Sequence, residues 1–307
     1  MPSAPHRTFF TKSRMILCAV LLVLVGGAGF VYWHYWQVSS RQFRVTFLDV
    51  GQGDASLIQF GNGEKMLVDC GANKVILARL GQALPFYDRT IDYLLVTHPD
   101  LDHYGGCLDV LKRYRVKKII TNGKSKEGDS YWQAWDGLLR TVVDGGARQT
   151  IITGHDTERI GQVTLEFFSP DPRLKLQVAD DDSNNYSIVF RLIDPTGKSY
   201  LFTGDMELPL EHALLAAYCP DLVTSTLFAQ SRGCMRLAAN VLKVGHHGSK
   251  SSTGWEFIEA VRPVTAVVQS GKNNRYGHPS PRVLKNLERS GARILRTDEL
   301  GDILLPY

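Results

Sequence analysis

The sequence predicts an α/β protein: an αβ/βα sandwich of two mixed β-sheets with outer helices, preceded by one transmembrane helix. Three observations predict it. Short apolar strands alternate with helical segments through residues 44–307. The first strands follow one another across glycine turns, as hairpins do, so the sheets are mixed rather than purely parallel. Helices arrive in both halves, and two sheets packed face to face with helices outside would bury every apolar face.

Each element has its reason. Arg44–Val50 and Asp54–Phe60 alternate as strands around the turn GQG, and Lys65–Asp69 is a third strand. Helical spacing follows near Asn73–Leu84. Ile91–Thr97 reads as a buried strand, Lys117–Thr121 as another, and Tyr131–Val143 has the apolar period of a helix. Val163–Phe168, Ser187–Ile193 and Ser199–Thr203 are strands, and Leu208–Tyr218 is a helix. Val241–Val244, Thr265–Gln269 and Ala292–Leu295 are late strands, with helices at Trp255–Val261 and Pro281–Arg289 between them. DDDSNN, residues 180–185, is a polar loop.

The N-terminus has another character. Met15–Phe30 carries no charge, and VYWHYW follows it. Residues 15–36 are long enough to cross a bilayer as a helix. His6, Arg7, Lys12 and Arg14 precede the run without an acidic residue, which assigns 1–14 to the cytoplasm, 37–43 to a linker and the domain 44–307 to the far side. A cleaved signal peptide is the alternative reading, although the run is long for one and VYWHYW is a poor cleavage site. The chain has five cysteines. An exported domain would let Cys219 and Cys234 pair, and two free buried thiols are the alternative. The formal charge of +4 is mild and does not suggest a dedicated nucleic-acid binder, while leaving room for a local basic groove.

Polar, metal-capable residues fall just past the ends of apolar strands, where loops carry function on a rigid scaffold. Asp69 ends KMLVD. His98, Asp100, Asp102 and His103 follow YLLVT. Asp205 follows YLFT. His246 and His247 follow VLKV, and His278 follows TAVVQS. A turn rich in Asp or a surface histidine explains any one of these taken singly. It does not explain the set.

These motifs resemble the metallo-β-lactamase fold superfamily, whose signature is H-x-H-x-D-H after a strand, with a later Gly-Asp and a C-terminal His. LDVGQGDA (48–55), HPDLDHYGG (98–106), NNYSIVFRL (184–192), LFTGD (201–205), VLKVGHHGSKSST (241–253) and NRYGHPS (274–280) are similar to the extracytoplasmic hydrolase domain of the ComEC competence-protein family. The resemblance spans about residues 44–306. It implies one or two divalent metal ions, with His98 and Asp100 at a first site and Asp102 and His103 at a second. Asp205 would bridge them. His246 is the favoured last ligand and His247 competes for that role. Asp69 would orient a ligand. Asp100 replaces the usual second histidine, and Asn185 and Ser187, which would face the pocket, stand where superfamily members usually supply a third. The first site is therefore richer in oxygen, which shifts preference from Zn²⁺ toward Mn²⁺ or Mg²⁺ or leaves one site labile.

Three further groups of residues are candidates. Asp54, Asp102 and His278 are assigned to catalysis, His278 to protonate a leaving group or steady an oxyanion. Ser249, Lys250 and Arg275 are assigned to substrate, with Lys243 and Lys272 completing a cationic rim; a helix cap for Ser249 and solubilising surface charges for the basic residues are the alternative reading. The loop between Cys219 and Cys234, longer than in relatives, would cover or flank the site. The function implied is a metal-dependent phosphodiesterase, a nuclease acting on single-stranded DNA in DNA uptake by attack of a metal-bound hydroxide. A separate membrane channel would be its partner. One alternative is a phosphoesterase for a cell-envelope or small-molecule ester. Another is a non-catalytic DNA-binding or assembly protein. Metal content and a substrate panel separate the three.

Overall fold

The computed structural model describes residues 12–39, 42–176, 178–179, 182–220 and 234–306. The first helix, α1, runs Lys12–Ser39 and contains an apolar stretch, Arg14–Tyr35, that is long enough to cross a membrane and is not covered by the rest of the chain. Past it, the elements from Phe43 to Pro306 build two seven-stranded sheets.

The first sheet has the order β14-β1-β2-β3-β4-β5-β6, the second β13-β12-β11-β10-β9-β8-β7. Their strands are β1 Phe43–Phe47, β2 Ser56–Phe60, β3 Lys65–Val68, β4 Thr90–Leu95, β5 Arg115–Thr121, β6 Arg148–Ile151, β7 Thr157–Ile160, β8 Val163–Ser169, β9 Val189–Ile193, β10 Ser199–Phe202, β11 Val241–Lys243, β12 Thr265–Val268, β13 Arg293–Arg296 and β14 Ile303–Pro306. Both sheets are mixed. The outer hairpins pair antiparallel, while β3 to β6 and β10 to β13 run parallel. The chain closes by laying β14 antiparallel against β1, so its last strand returns to the first sheet.

The core lies between the sheets. Phe47, Phe60 and Leu95 from one meet Phe167, Phe190 and Phe202 from the other. The Phe190 and Phe202 rings stack at 4.8 Å and Phe47 lies 5.7 Å from Phe202, within the range where aromatic pairs attract. Helices cover the outer faces, and α2 (Val75–Ala83) and the short α3 (Leu101–Tyr104) come first after the membrane-length helix. Around α4 (Cys107–Arg113) and α5 (Ser130–Asp144), the residues Val110, Leu111, Trp135 and Leu139 pack over the first sheet. Along α6 (Leu208–Tyr218) and α7 (Trp255–Val261), Leu210, Leu214 and Phe257 cover the second. Sandwiched strands are buried on both faces, which is why SLIQF and KMLV are buried at every residue.

The strands expected from the sequence are present. Sequence reasoning missed β6, β7 and β14. RQTI and TERI lie at the sheet edges, are largely exposed and carry little apolar signal, while ILLP is short. Cys219 and Cys234 form a disulfide, and so do Cys70 and Cys107, a pairing not anticipated. The loop expected to flank the site lies, at 221–233, outside the described residues, as do the basic residues His6 and Arg7.

Candidate metal centre

The parallel strands of both sheets deliver the candidate residues to one end of the sandwich. Asp69 follows β3, His98 follows β4, Asp205 follows β10, and His246 and His247 follow β11. The backbone is unusual at these strand ends. Asp69 has φ 57°, His246 φ 46° and His247 φ 54°, in the left-handed region that L-residues rarely adopt. Such positions persist where the surroundings over-determine them, and they cluster at functional sites. The GQG turn is held against the HPDLDH turn: Asp54 N–H donates to Asp102 O at 3.2 Å. Gly53 sits at φ 121°, and a Cβ there would collide with the Asp102 carbonyl.

Asp102, His103, Asp205 and His247 bring one ligand atom each within 4.8 Å of one another. His103 Nε2 lies 3.1 Å from Asp205 Oδ1, and His247 Nε2 lies 3.3 Å from Asp205 Oδ2 and 3.2 Å from Asp102 Oδ2. Each imidazole is backed by a carboxylate. Asp69 Oδ2 stands 2.8 Å from His103 Nδ1, and Asp54 Oδ1 stands 3.1 Å from His247 Nδ1, which also meets Gln269 O at 3.0 Å. Asp69 is itself fixed by the N–H and hydroxyl of Thr97, both at 2.8 Å. A carboxylate or carbonyl on Nδ1 fixes the tautomer and turns Nε2 inward.

His98 is fully buried beside them, its ring 4.1 Å from that of His103. Its Nδ1 meets Thr97 Oγ1 at 3.0 Å and Ser187 Oγ at 3.3 Å, and its Nε2 lies 3.7 Å from Asp100 Oδ2. Asp100 accepts from Ser183 Oγ at 2.7 Å and is ion-paired with Lys126.

The charge balance shows what is wanted there. Burial would push His103 and His247 toward the neutral form, but Asp205 with Asp69, and Asp205 with Asp54, hold both well above the usual imidazole range. Burial likewise opposes ionisation of Asp102, yet His247 and His103 pull it down to about 2. Asp205 and Asp100 are also held below the carboxylate range against burial. The field demands positive charge. Among the described residues His98 Nε2 is buried without a hydrogen-bond partner, and His103 Nε2 and Asp205 Oδ1 face each other at 3.1 Å without forming a hydrogen bond. Inward nitrogens and carboxylate oxygens around a cation-seeking centre suit a divalent ion.

Other candidates fall elsewhere. His246 is not in this group. Its Nδ1 pairs with Glu207 Oε1 at 2.8 Å and its Nε2 is 3.7 Å from Asp205, so geometry favours His247 where the sequence favoured His246. Asp54, expected among the catalytic residues, is buried behind His247 and ion-paired with Lys243. Burial opposes its ionisation, and Lys243 and His247 more than offset this. Lys243 is 2% exposed and donates to Gly204 O at 2.9 Å, so it is no part of a cationic rim. A lysine inside the apolar strand VLKV was the overlooked signal. Asn185 does not face the pocket: its Oδ1 accepts from Glu207 and Leu210 N–H at 3.3 and 3.1 Å, at the start of α6. Ser187 does face it, accepting from Asp205 N–H at 3.1 Å.

His278 sits at the rim, its ring 5.6 Å from His246 and 6.3 Å from His247. Burial and these two imidazoles push its pKa down to about 4. Ser249 is tied to Ser251 at 2.9 Å, and Ser251 donates to Glu207 at 2.6 Å, so this hydroxyl chain supports His246. Lys250, Lys272 and Arg275 are exposed, and Arg275 lies over the Tyr276 ring.

Residues 48–272 match the model of the metallo-beta-lactamase superfamily. The chain is 30% identical to "ComE operon protein 3" of Bacillus subtilis over 95% of its own length and 35% of that protein's. It is 31% identical to "Recombination protein 2" of Haemophilus influenzae over 88% of its length and 30% of that protein's, and 30% identical to "Competence protein ComA" of Neisseria gonorrhoeae over 92% and 34%. It thus spans about a third of the length of these relatives. Among solved structures it is similar to the metallo-beta-lactamase fold protein YhfI of Bacillus subtilis, with a TM-score of 0.53 at 11% identity over 87% of this chain and 100% of that one. It is also similar to Igni18, a metallo hydrolase of Ignicoccus hospitalis, with a TM-score of 0.51 at 12% identity over 86% and 99%. The chain belongs to the metallo-β-lactamase superfamily, has the fold of its metal-dependent hydrolases, and is related to the competence proteins.

Proposed function

We propose that this protein is a membrane-anchored, extracytoplasmic phosphodiesterase that cleaves single-stranded DNA in DNA uptake. The observation that carries the reading is the cluster of Asp102, His103, Asp205 and His247, with an imidazole-orienting carboxylate behind each histidine. A divalent ion held there would lower the pKa of water and neutralise charge on a phosphoryl group. Asp102, His103, Asp205 and His247 would hold one ion. His98, Asp100 and Asp205 would hold a second, with more oxygen and less nitrogen, which favours Mn²⁺ or Mg²⁺ over Zn²⁺.

The chain's own residues do the rest. Asp69 and Asp54 keep His103 and His247 in the tautomer that presents Nε2. Lys243 balances the charge of Asp54. With its pKa pushed down to about 4, His278 is neutral at pH 7. A neutral imidazole is a poor proton donor to a leaving group, but its N–H can donate to a developing oxyanion, and we assign His278 that second role.

The likeness to proteins named for competence and recombination supports DNA as substrate. Two disulfides and the basic residues ahead of the apolar helix support an extracytoplasmic domain on a cytoplasmic N-terminus. A separate channel protein would pass the DNA strand. The test is a substrate panel. Full-length protein in non-ionic detergent is loaded with Mn²⁺, Zn²⁺ or Mg²⁺ and offered end-labelled single-stranded DNA, duplex DNA and a small phosphodiester. Cutting of single-stranded DNA is expected. Cutting of the small ester alone would replace this reading with a small-molecule phosphoesterase.

A further inference from the structure

We propose that the loop between β5 and α5 is a nucleotide-backbone subsite, with Lys124 as the cation that grips a phosphate beside the metal cluster; this rests on the nuclease reading. A groove of about 740 Å³ opens along this loop, between Lys124, Ser125 and Lys126 on one side and Pro99 and Ser183 on the other. It adjoins the cluster directly, because Pro99 precedes Asp100 and Ser183 donates to the Asp100 carboxylate at 2.7 Å.

Charge in the groove is unevenly compensated. Lys126 is paired with Asp100. The Asp129 carboxylate caps α5, accepting from Tyr131 and Trp132 N–H at 2.8 and 3.1 Å. Glu127 is exposed and screened by solvent. Lys124 differs: among the described residues it has no carboxylate within ion-pair distance, and its Nζ lies 3.6 Å from the centroid of the Tyr186 ring. An aromatic face positions an ammonium without neutralising it. The stem is braced as well. Asn122 Oδ1 accepts from Lys124 N–H at 3.0 Å, and Asn122 Nδ2 donates to Tyr186 O at 2.9 Å.

A second cavity, of about 290 Å³, shares Lys124 with the groove and is walled by Tyr186, Ile152, Leu174 and Leu176. A polar groove and an apolar recess meeting at one ordered lysine fit a phosphate and its base, as in sites that track single strands. Sequence reasoning put the cations after β11 and β12, at Lys250 and Arg275.

The test is binding of a fluorescent oligothymidylate to the full-length, metal-free protein in non-ionic detergent, followed by anisotropy across a salt series. Lys124→Glu, Lys124→Gln and, as a surface control, Lys112→Glu on α4 are compared, with thermal melting to verify folding. Lys124→Glu should weaken binding about ten-fold, and Lys124→Gln should flatten the salt dependence by about 0.7 in log–log slope, one phosphate contact on a single strand. Lys112→Glu should do neither. Binding indifferent to both Lys124 substitutions overturns the subsite and leaves the nuclease reading standing. Lys124-dependent binding without cutting in the metal-loaded protein sustains the subsite and sinks the nuclease reading. Inorganic polyphosphate that competes as well as the oligonucleotide, through Lys124, overturns the assignment to nucleotides.

Discussion

Asp54 Oδ1 lies 3.1 Å from His247 Nδ1, and Asp69 Oδ2 lies 2.8 Å from His103 Nδ1. One carboxylate comes from each of two loops of the first sheet, and the two histidines turn their Nε2 atoms toward the same Asp205. Asp54 and Asp69 stand close together behind the two rings, with carboxylate oxygens within 4.8 Å of each other and of His103. Removing an outer carboxylate of this kind typically costs 10- to 100-fold in metal affinity. Asp54→Ala and Asp69→Ala should each weaken Mn²⁺ binding by about that factor, read by equilibrium dialysis. An Asp54→Ala protein with native affinity would mean that Gln269 O alone orients His247.

The adjacent histidines should separate cleanly. His247→Ala removes a nitrogen that faces both Asp102 and Asp205, whereas His246→Ala removes one paired with Glu207. Metal bound per chain should fall in the first variant and stay near the wild-type count in the second. The opposite pattern would assign the ligand to His246.

The two disulfides should contribute unequally. Cys70–Cys107 closes a sequence separation of 37 and Cys219–Cys234 one of 15. Chain entropy then gives about 4 kcal/mol for the first and about 3 kcal/mol for the second. The first also ties Asp69's neighbour to the helix after His103, so Cys70→Ala/Cys107→Ala should lower both Tm and metal affinity. Cys219→Ala/Cys234→Ala should lower Tm alone.

A buried carboxyl makes stability depend on pH. Glu211 is 1% exposed, and burial raises its pKa to about 7 although its carboxylate accepts N–H bonds from Thr253 and Gly254. The folded chain keeps this proton after the unfolded chain has lost it, near the usual carboxylate value. The folded state binds more protons in that window, so the contribution is full below about pH 4.5 and is lost as pH rises through about 7. Between pH 5 and pH 8, wild type should lose on the order of 3 kcal/mol relative to Glu211→Gln in urea unfolding. A gap that stays constant across this range would mean that Glu211 is ionised in the folded protein.

Much of this was legible in the sequence because strands and their ends are local. YLLVT followed by HPDLDH, or YLFT followed by GD, needs only the strand period to place Asp102, His103 and Asp205 at one end. What escaped depends on contacts between segments far apart in the chain. Asp54 meets His247 across 193 positions, and no spacing reveals that pair. His246 and His247 lie on a left-handed turn, where neither the helical nor the strand period decides which ring points inward. Asn185 occupied the place of an expected ligand, but its amide instead serves backbone donors at the start of α6. Lys124 stayed hidden for a different reason. It becomes distinctive only once Lys126 and Asp129 are seen to be engaged elsewhere.

The most direct test of the central claim is single-turnover cleavage of 5′-labelled single-stranded DNA by the metal-stripped full-length protein after Mn²⁺ is returned, beside Asp102→Ala/His103→Ala. Cleavage that appears only with the ion and vanishes in the double variant is the predicted result. Cleavage that survives in the double variant, or wild-type protein that binds Mn²⁺ and leaves the strand intact, would contradict it.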